Sequence, residues 1–313
     1  MNAPKPASVL VFGSVNVDLV AEVERIPRGG ETILAERGSK HFGGKGANQA
    51  VACARGRRDP RTSVLMAGAI GDDALGLECV ANLLANGVET SLLRRSTLPT
   101  GFAFIAVDSR GENAITVVPG ANLDAAAGQV GDETLTACSI VAAQLEIPVA
   151  EAIHLFRRAR AAGVCGLLNF APLPASDSVE LFAALLEAVD IAVFNQHELA
   201  ATAQRLSLTS SDSHEVRASV LARQFAMDVL VTLGADGVLL ADAQGTINAL
   251  PGLPVEVVDT TGAGDTFVGV LAVTLAEGAT LLAAAERANR AAALACRAMG
   301  AQSGMPRAVE IDG

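Results

Sequence analysis

Residues 259–267 read Asp-Thr-Thr-Gly-Ala-Gly-Asp-Thr-Phe, which places two glycines just ahead of an aspartate. Residues 254–258 before them alternate and are rich in valine, the pattern of a short strand. After them, Phe267, Val268, Val270, Leu271, Val273 and Leu275 follow helical spacing until Gly278. A turn from strand into helix leaves free backbone N–H groups at the positive end of the helix dipole, a seat for phosphate. Gly262 and Gly264, on either side of Ala263, let the backbone approach a ligand with no Cβ between. Asp265 follows directly, placed to accept a proton from a hydroxyl held against the same phosphate. The combination outlines a phosphoryl-transfer site. The plainer alternative is a packing turn followed by an aspartate in a first helical turn.

Other polar clusters offer partners for that chemistry. Asn16 and Asp18 stand at period two after the apolar run 8–13, so on a strand end they face one side together, or simply form a polar tip. Gly43-Gly44-Lys45-Gly46-Ala47-Asn48 opens a helix of small residues. Its Lys45 and Asn48 offer a cation and an amide to hydroxyl or phosphate oxygens; a flexible loop without a site is the alternative. Asn195 and Glu198, three apart after the apolar run 191–194, suit a water-shelled Mg²⁺ or else a capping box. Two better-known motifs are excluded. The dinucleotide fingerprint needs a small residue where Phe267 stands, and a Walker loop needs Ser or Thr where Gly46 follows Lys45.

The elements that must position these residues alternate. Strands are expected at 8–13, 62–70, 138–144, 164–169, 191–194 and 229–233, and helices at 72–85, 149–162 and 178–189. A hairpin is expected over 238–250, turning at Gln244-Gly245, and residues 207–213 read as a polar linker. Such alternation predicts an α/β fold, a mostly parallel central sheet with helices on both faces and ligands at the strands' carboxyl ends. Residues 18–42 and 99–118 instead suggest short strands, joined at 108–111 by a turn, that form a small sheet apart from the core. The whole of 1–313 then reads as a single domain with that sheet inserted.

Half of the residues are apolar, enough for a sizeable core. A net charge of −11, with no Trp and no Tyr, argues against a nucleic-acid or anionic-membrane surface. No run long enough to span a membrane and no apolar leader at 1–6 is present. Five scattered cysteines read as reduced thiols in a cytoplasmic protein, without structural zinc.

With these motifs in order, the chain resembles the ribokinase-like family of sugar and nucleoside kinases over about residues 8–305. The resemblance is carried by 43–50 and 259–267, and by Gly13-Ser14-Val15-Asn16-Val17-Asp18, Gln144-Leu145-Glu146, Asn195-x-x-Glu198 and Thr232-Leu233-Gly234. It implies ATP-dependent phosphorylation of a small sugar, D-ribose at O5 first, with another pentose, a hexose or a nucleoside as the alternative. By the same resemblance Asn16, Asp18, Gly44, Lys45, Asn48 and Glu146 hold the sugar, and Asp265 is the base. Gly262, Ala263 and Gly264 form the anion hole. Asn195, Thr232, Gly234, Asp236, Gly237, Gly264 and Asn289 meet ATP, and Glu198 holds Mg²⁺ through water. Asp259 and Thr261, with the backbone of Ala295, Ala298 and Gly300, would hold K⁺. The small sheet would be a lid and a homodimer contact.

The chain departs from the family pattern at Asn169-Phe170-Ala171-Pro172, and at 300–304, Gly-Ala-Gln-Ser-Gly, where the last cation ligand is missing or moved to Ser303. Asn289 replaces a histidine. Two other classes are the alternatives: a non-catalytic sensor, which would lack the base or a hole glycine, and a nicotinamide enzyme, against which the failed fingerprint counts.

Overall fold

The structure is a computed structural model that describes residues 7–174, 178–208 and 210–313. The reading of residues 1–6, and Thr209 within the expected linker, lie outside the described residues.

The chain opens with strands β1 (Ser8–Phe12), β2 (Asn16–Glu22) and β3 (Arg37–Gly43), then helix α1 (Lys45–Gly56). Next come β4 (Ser63–Gly71), α2 (Ala74–Ala85), β5 (Glu89–Ser96), β6 (Gly101–Val107) and β7 (Asn113–Val118). The alternation resumes with α3 (Asp132–Ala137), β8 (Ile140–Ala143), α4 (Val149–Ala161), β9 (Cys165–Asn169), α5 (Val179–Glu187) and β10 (Ile191–Asn195). Then follow α6 (Gln196–Arg205), α7 (His214–Phe225), β11 (Asp228–Thr232), β12 (Val238–Ala241) and β13 (Ile247–Leu250). Helices α8 (Ala263–Ala276), α9 (Leu281–Ala295) and α10 (Ala308–Asp312) end the chain.

Nine strands form one sheet in the order β13-β12-β11-β10-β9-β8-β1-β4-β5. All neighbours from β11 to β5 run parallel; only β12 and β13 are antiparallel. Alternation along each strand divides the core in two. Val9 and Val11 of β1 face a cluster with α1, α8 and α9, while Leu10 and Phe12 face another with α4, α5 and α7. This is the expected mostly parallel sheet covered on both faces. A second sheet, β3-β2-β6-β7, stands apart from it. Its Phe104, Ile115 and Val117 are more than half exposed.

One expectation fails. Residues 254–258 form no strand but an extended loop between β13 and α8. Val257 and Val258 are exposed and Pro254 cannot donate to a ladder, so valine content had nothing to pair with. Strand β5 and helices α3, α7, α9 and α10 add to the elements expected. Among the described residues no helix is long and apolar enough to cross a membrane.

Candidate active site

The parallel strands converge. Ser14 and Asn16 follow the end of β1, Gln144 and Glu146 the end of β8, and Asn169, Asn195 and Thr232 close β9, β10 and β11. Helices α1 and α8 supply the rest from one side of the sheet, because they cross very closely. A Cβ on Gly269 of α8 would lie 2.5 Å from both the Ala52 Cβ and the Gln49 carbonyl oxygen of α1. The close crossing sets Asn48 and Gln49 against Asp265.

Asp265, in the first turn of α8, is buried, with both oxygens occupied. Asn48 Nδ2 donates to its Oδ2 at 2.9 Å, and Gln49 Nε2 donates to its Oδ1 at 3.0 Å. Gly262 caps the helix at φ +77°, a left-handed conformation. Around Asp265 lies a cavity of about 130 Å³ lined by Lys45, Asn169, Asn195, Glu198, Thr232, Gly262 and Gly264, among others. The negative charge of Asp265 raises Lys45 above the usual ammonium range, and Glu146 and Glu198 add to it against the cost of burial.

On the side of the small sheet, Lys45 N–H and the Ser14 hydroxyl both donate to Glu146 Oε2, at 3.1 and 2.5 Å. Asn16 accepts from Asn122 Nδ2 at 2.7 Å. Asp18 pairs in register with His41 on β3. Burial first, then the charge of Glu146, pushes Asp18 up to about 6, while His41 pulls it down.

Asn195 and Glu198 form a reciprocal cap: Glu198 N–H donates to Asn195 Oδ1 at 2.8 Å, and Asn195 N–H to Glu198 Oε2 at 2.7 Å. The capping arrangement is therefore present, and both side chains also border the small cavity. Burial raises Glu198 above the usual carboxylate range.

A larger cavity of about 570 Å³ adjoins the small one through the shared Thr232 and Gly264. Gly234, Gly237, Ala263, Phe267, Asn289 and Cys296 also line it, together with part of the 252–257 loop. Asn289 donates to the Pro251 carbonyl at 2.9 Å. Asp236 does not border this cavity; it sits exposed on a short turn.

Asp259 accepts from Thr261 N–H and hydroxyl at 2.9 and 2.6 Å and from Gly300 N–H at 2.8 Å. Although burial opposes it, these bonds hold the Asp259 carboxyl below its ordinary range. Nearby, the carbonyl oxygens of Ala295, Ala298 and Gly300 converge: a Cβ on Gly304 would meet them at 2.6, 3.2 and 3.3 Å. Ser303 donates its hydroxyl to the Met299 and Gly300 carbonyls.

Residues 6–308 match the pfkB family of carbohydrate kinases. The ribokinase of Schizosaccharomyces pombe is 35% identical over 98% of this chain and 97% of its own. The chain belongs to the pfkB family of carbohydrate kinases. As a member it is a phosphotransferase acting on a sugar hydroxyl. A ribokinase structure from Thermotoga maritima aligns with a TM-score of 0.88 at 30% identity, covering 98% of each chain. One of Arabidopsis thaliana ribokinase, complexed with ribose and ATP, aligns with a TM-score of 0.84 at 32% identity, covering 99% of this chain and 98% of that one.

Sequence reasoning gave no role to several buried amides of this kinase's site. Gln49, Gln144, Asn169 and Gln302 stood within motifs already singled out, and their burial is the signal that was lacking. Asn122 carried no sequence signal; the fold brings it to Asn16 from 106 positions away.

Proposed function

We propose that the protein transfers the γ-phosphoryl group of ATP to O5 of D-ribose, giving ribose 5-phosphate and ADP. The observation that carries this is the position of Asp265: it borders the small cavity beside Gly262 and Gly264 and accepts from Asn48. Asp265 takes the proton from O5 as the O5–phosphorus bond forms and the bond to the β–γ bridging oxygen breaks. Backbone N–H groups of Gly262, Ala263 and Gly264, at the start of α8, stabilise the charge spread over the transferred group, for which the Ala263 N–H leaves the Thr260 carbonyl it donates to at 3.2 Å. An anion-hole donor is worth about 10²–10³ in rate, and a general base about 10²–10⁴.

Asn16, Asp18, Gly44, Lys45, Asn48 and Glu146 hold the sugar hydroxyls. Acidic and amide acceptors beside one ammonium group suit a small polyol better than an apolar ligand. The large cavity, bordered by Thr232, Gly234, Gly237 and Asn289, takes the nucleotide. Asp236 then contributes through backbone at most.

Asn195 and Glu198 would hold a hydrated Mg²⁺, whose bound charge neutralises phosphate oxygens. No three His, Cys, Asp or Glu side chains gather among the described residues, so that ion would depend on water and nucleotide oxygens. The carbonyls of Ala295, Ala298 and Gly300 suit K⁺, with Asp259 and Thr261 fixing the loop beside them.

The small sheet acts as a lid that excludes water, and its exposed Phe104, Ile115 and Val117 form a homodimer contact. Five cysteines without a disulfide among the described residues suit a reducing cytoplasm.

A coupled ADP-release assay with ATP, Mg²⁺ and K⁺ tests the substrate, comparing D-ribose with 2-deoxyribose, fructose, adenosine and no sugar. Ribose-dependent release is expected. Turnover with another acceptor alone would move the specificity to a sister activity and overturn the ribose assignment.

A further inference from the structure

The carboxylate of Asp265 ends two separate chains of amide side chains, one on each oxygen. Towards Oδ1, Gln144 Nε2 donates to Gln49 Oε1 at 2.6 Å, and Gln49 Nε2 donates onward at 3.0 Å. Towards Oδ2, Asn82 Nδ2 donates to Gln302 Oε1 at 2.7 Å. Gln302 Nε2 then donates to Asn48 Oδ1 at 3.0 Å, and Asn48 Nδ2 to Asp265 at 2.9 Å. Gln49 and Gln144 are fully buried, and Asn48 and Gln302 nearly so.

The direction of both chains follows from the charge at their end. An ionised carboxylate only accepts, so Asn48 and Gln49 must turn their NH₂ groups towards it. Their carbonyls then face backward and require NH₂ groups from Gln302 and Gln144. Gln49 spends its second N–H on Asn169 Oδ1 at 3.0 Å, which leaves its amide a single orientation. Gln144 Oε1, at the far end of its chain, is buried without a hydrogen-bond partner among the described residues. From Gln49 and Gln302 onward to Asp265 the bonds are made, and a satisfied buried network is rigid.

We propose that Gln49 and Gln302 are positioning residues for Asp265, each fixing one carboxylate oxygen in the orientation that takes the sugar proton. Neither borders the small cavity, so Gln49 acts through Asp265 and Gln302 acts through Asn48. Gln302 does this from the 300–304 segment, whose role in the base's orientation its composition did not suggest. The proposal rests on Asp265 being the base.

The test measures steady-state turnover of ribose and ATP by the full chain and its Gln49→Leu, Gln302→Leu and Gln144→Leu variants. Gln49→Leu and Gln302→Leu should each lower kcat by about 10–100-fold, since small misplacements near the chemistry cost on the order of 10²-fold. The KM for ATP should change by less than about threefold. Acting on different oxygens, the two should compound when combined, while Gln144→Leu should add little to Gln49→Leu. In the Asp265→Asn background, Gln302→Leu should leave the residual rate unchanged.

Wild-type kcat in both glutamine variants would overturn the proposal. So would a loss of equal size in the Asp265→Asn background, which is what a merely structural role predicts. Should a leucine variant fail to fold, Gln302→Glu keeps the acceptor for Asn82, lacks the NH₂ for Asn48, and should show the same loss of kcat. An Asp265→Asn protein with wild-type turnover would instead refute the base assignment, a result distinct from normal Gln302→Leu beside an inactive Asp265→Asn.

Discussion

Asn48 and Asp265 stand 217 positions apart in the chain and 2.9 Å apart in the fold, joined by an amide-to-carboxylate hydrogen bond. One belongs to α1 and the other to α8, and the two helices approach closely enough to need glycine at their crossing. The proposed sugar-holding surface and the proposed base are thereby one rigid unit.

Asp265→Asn keeps the shape of the side chain and removes its capacity to take a proton. We expect kcat to fall by about 10²–10⁴-fold with little change in the KM for ATP. Steady-state kinetics on protein of unchanged Tm checks it. A loss confined to KM would point to sugar binding as the only role of Asp265.

Asp18 ties stability to pH and, through its proposed sugar contact, would tie KM to pH as well. Its folded value, about 6, exceeds the ordinary 3.8, so the folded protein holds a proton that the unfolded chain releases. The stability this contributes is fully present below about pH 4 and is lost as pH rises through about 6. Asp18→Asn should therefore gain in Tm relative to the parent between about pH 4 and 7. If ionised Asp18 accepts from sugar hydroxyls, the parent's KM for sugar rises below about pH 6, and the Asn variant loses that dependence.

Gly269→Val should injure both stability and turnover. Even a Cβ would lie 2.5 Å from α1, and forced separation of packed helices costs about 1–3 kcal/mol. Because α1 carries Asn48 and Gln49, kcat should fall as well. Denaturant titration and kinetics on the same preparation read both effects.

Asp312 tests stability without chemistry. Arg58 and Arg287 each grip it with two N–H groups, and they hold its carboxyl far below the ordinary range. A depressed carboxylate stabilises above its unfolded value and loses that contribution as pH falls below about 4. Asp312→Ala leaves the nearly buried Arg287 without its carboxylate and should cost about 1–3 kcal/mol at neutral pH, with kcat unchanged. The cost should shrink in acid; equal cost at both pH values would refute the pairing.

Phe104→Glu places a charge on the exposed face of the small sheet. If that face joins two copies, light scattering should show the dimer of the parent replaced by monomer. A parent that is itself monomeric would remove the dimer proposal.

Much of this was legible from residue order. Apolar runs of strand length, each followed by a helical period, required a parallel sheet, since each face had to be buried. Glycines before Asp265 and Lys45 marked places where backbone could approach a ligand. Chain order could not decide which residues would meet. Residues 254–258 had the composition of a strand, yet the Val258 N–H donates to the Cys296 carbonyl just after α9, and Pro254, Val255 and Val257 became part of the wall of the larger cavity. Asn195 and Glu198 satisfied a cap and bordered the small cavity at once, two readings that sequence alone had to hold apart. The amides around Asp265 come from five separate segments, and an amide alone in a sequence is most often a solvated surface residue. Only burial of both carboxylate oxygens against Asn48 and Gln49, set by the crossing of α1 and α8, decided that these amides serve the aspartate.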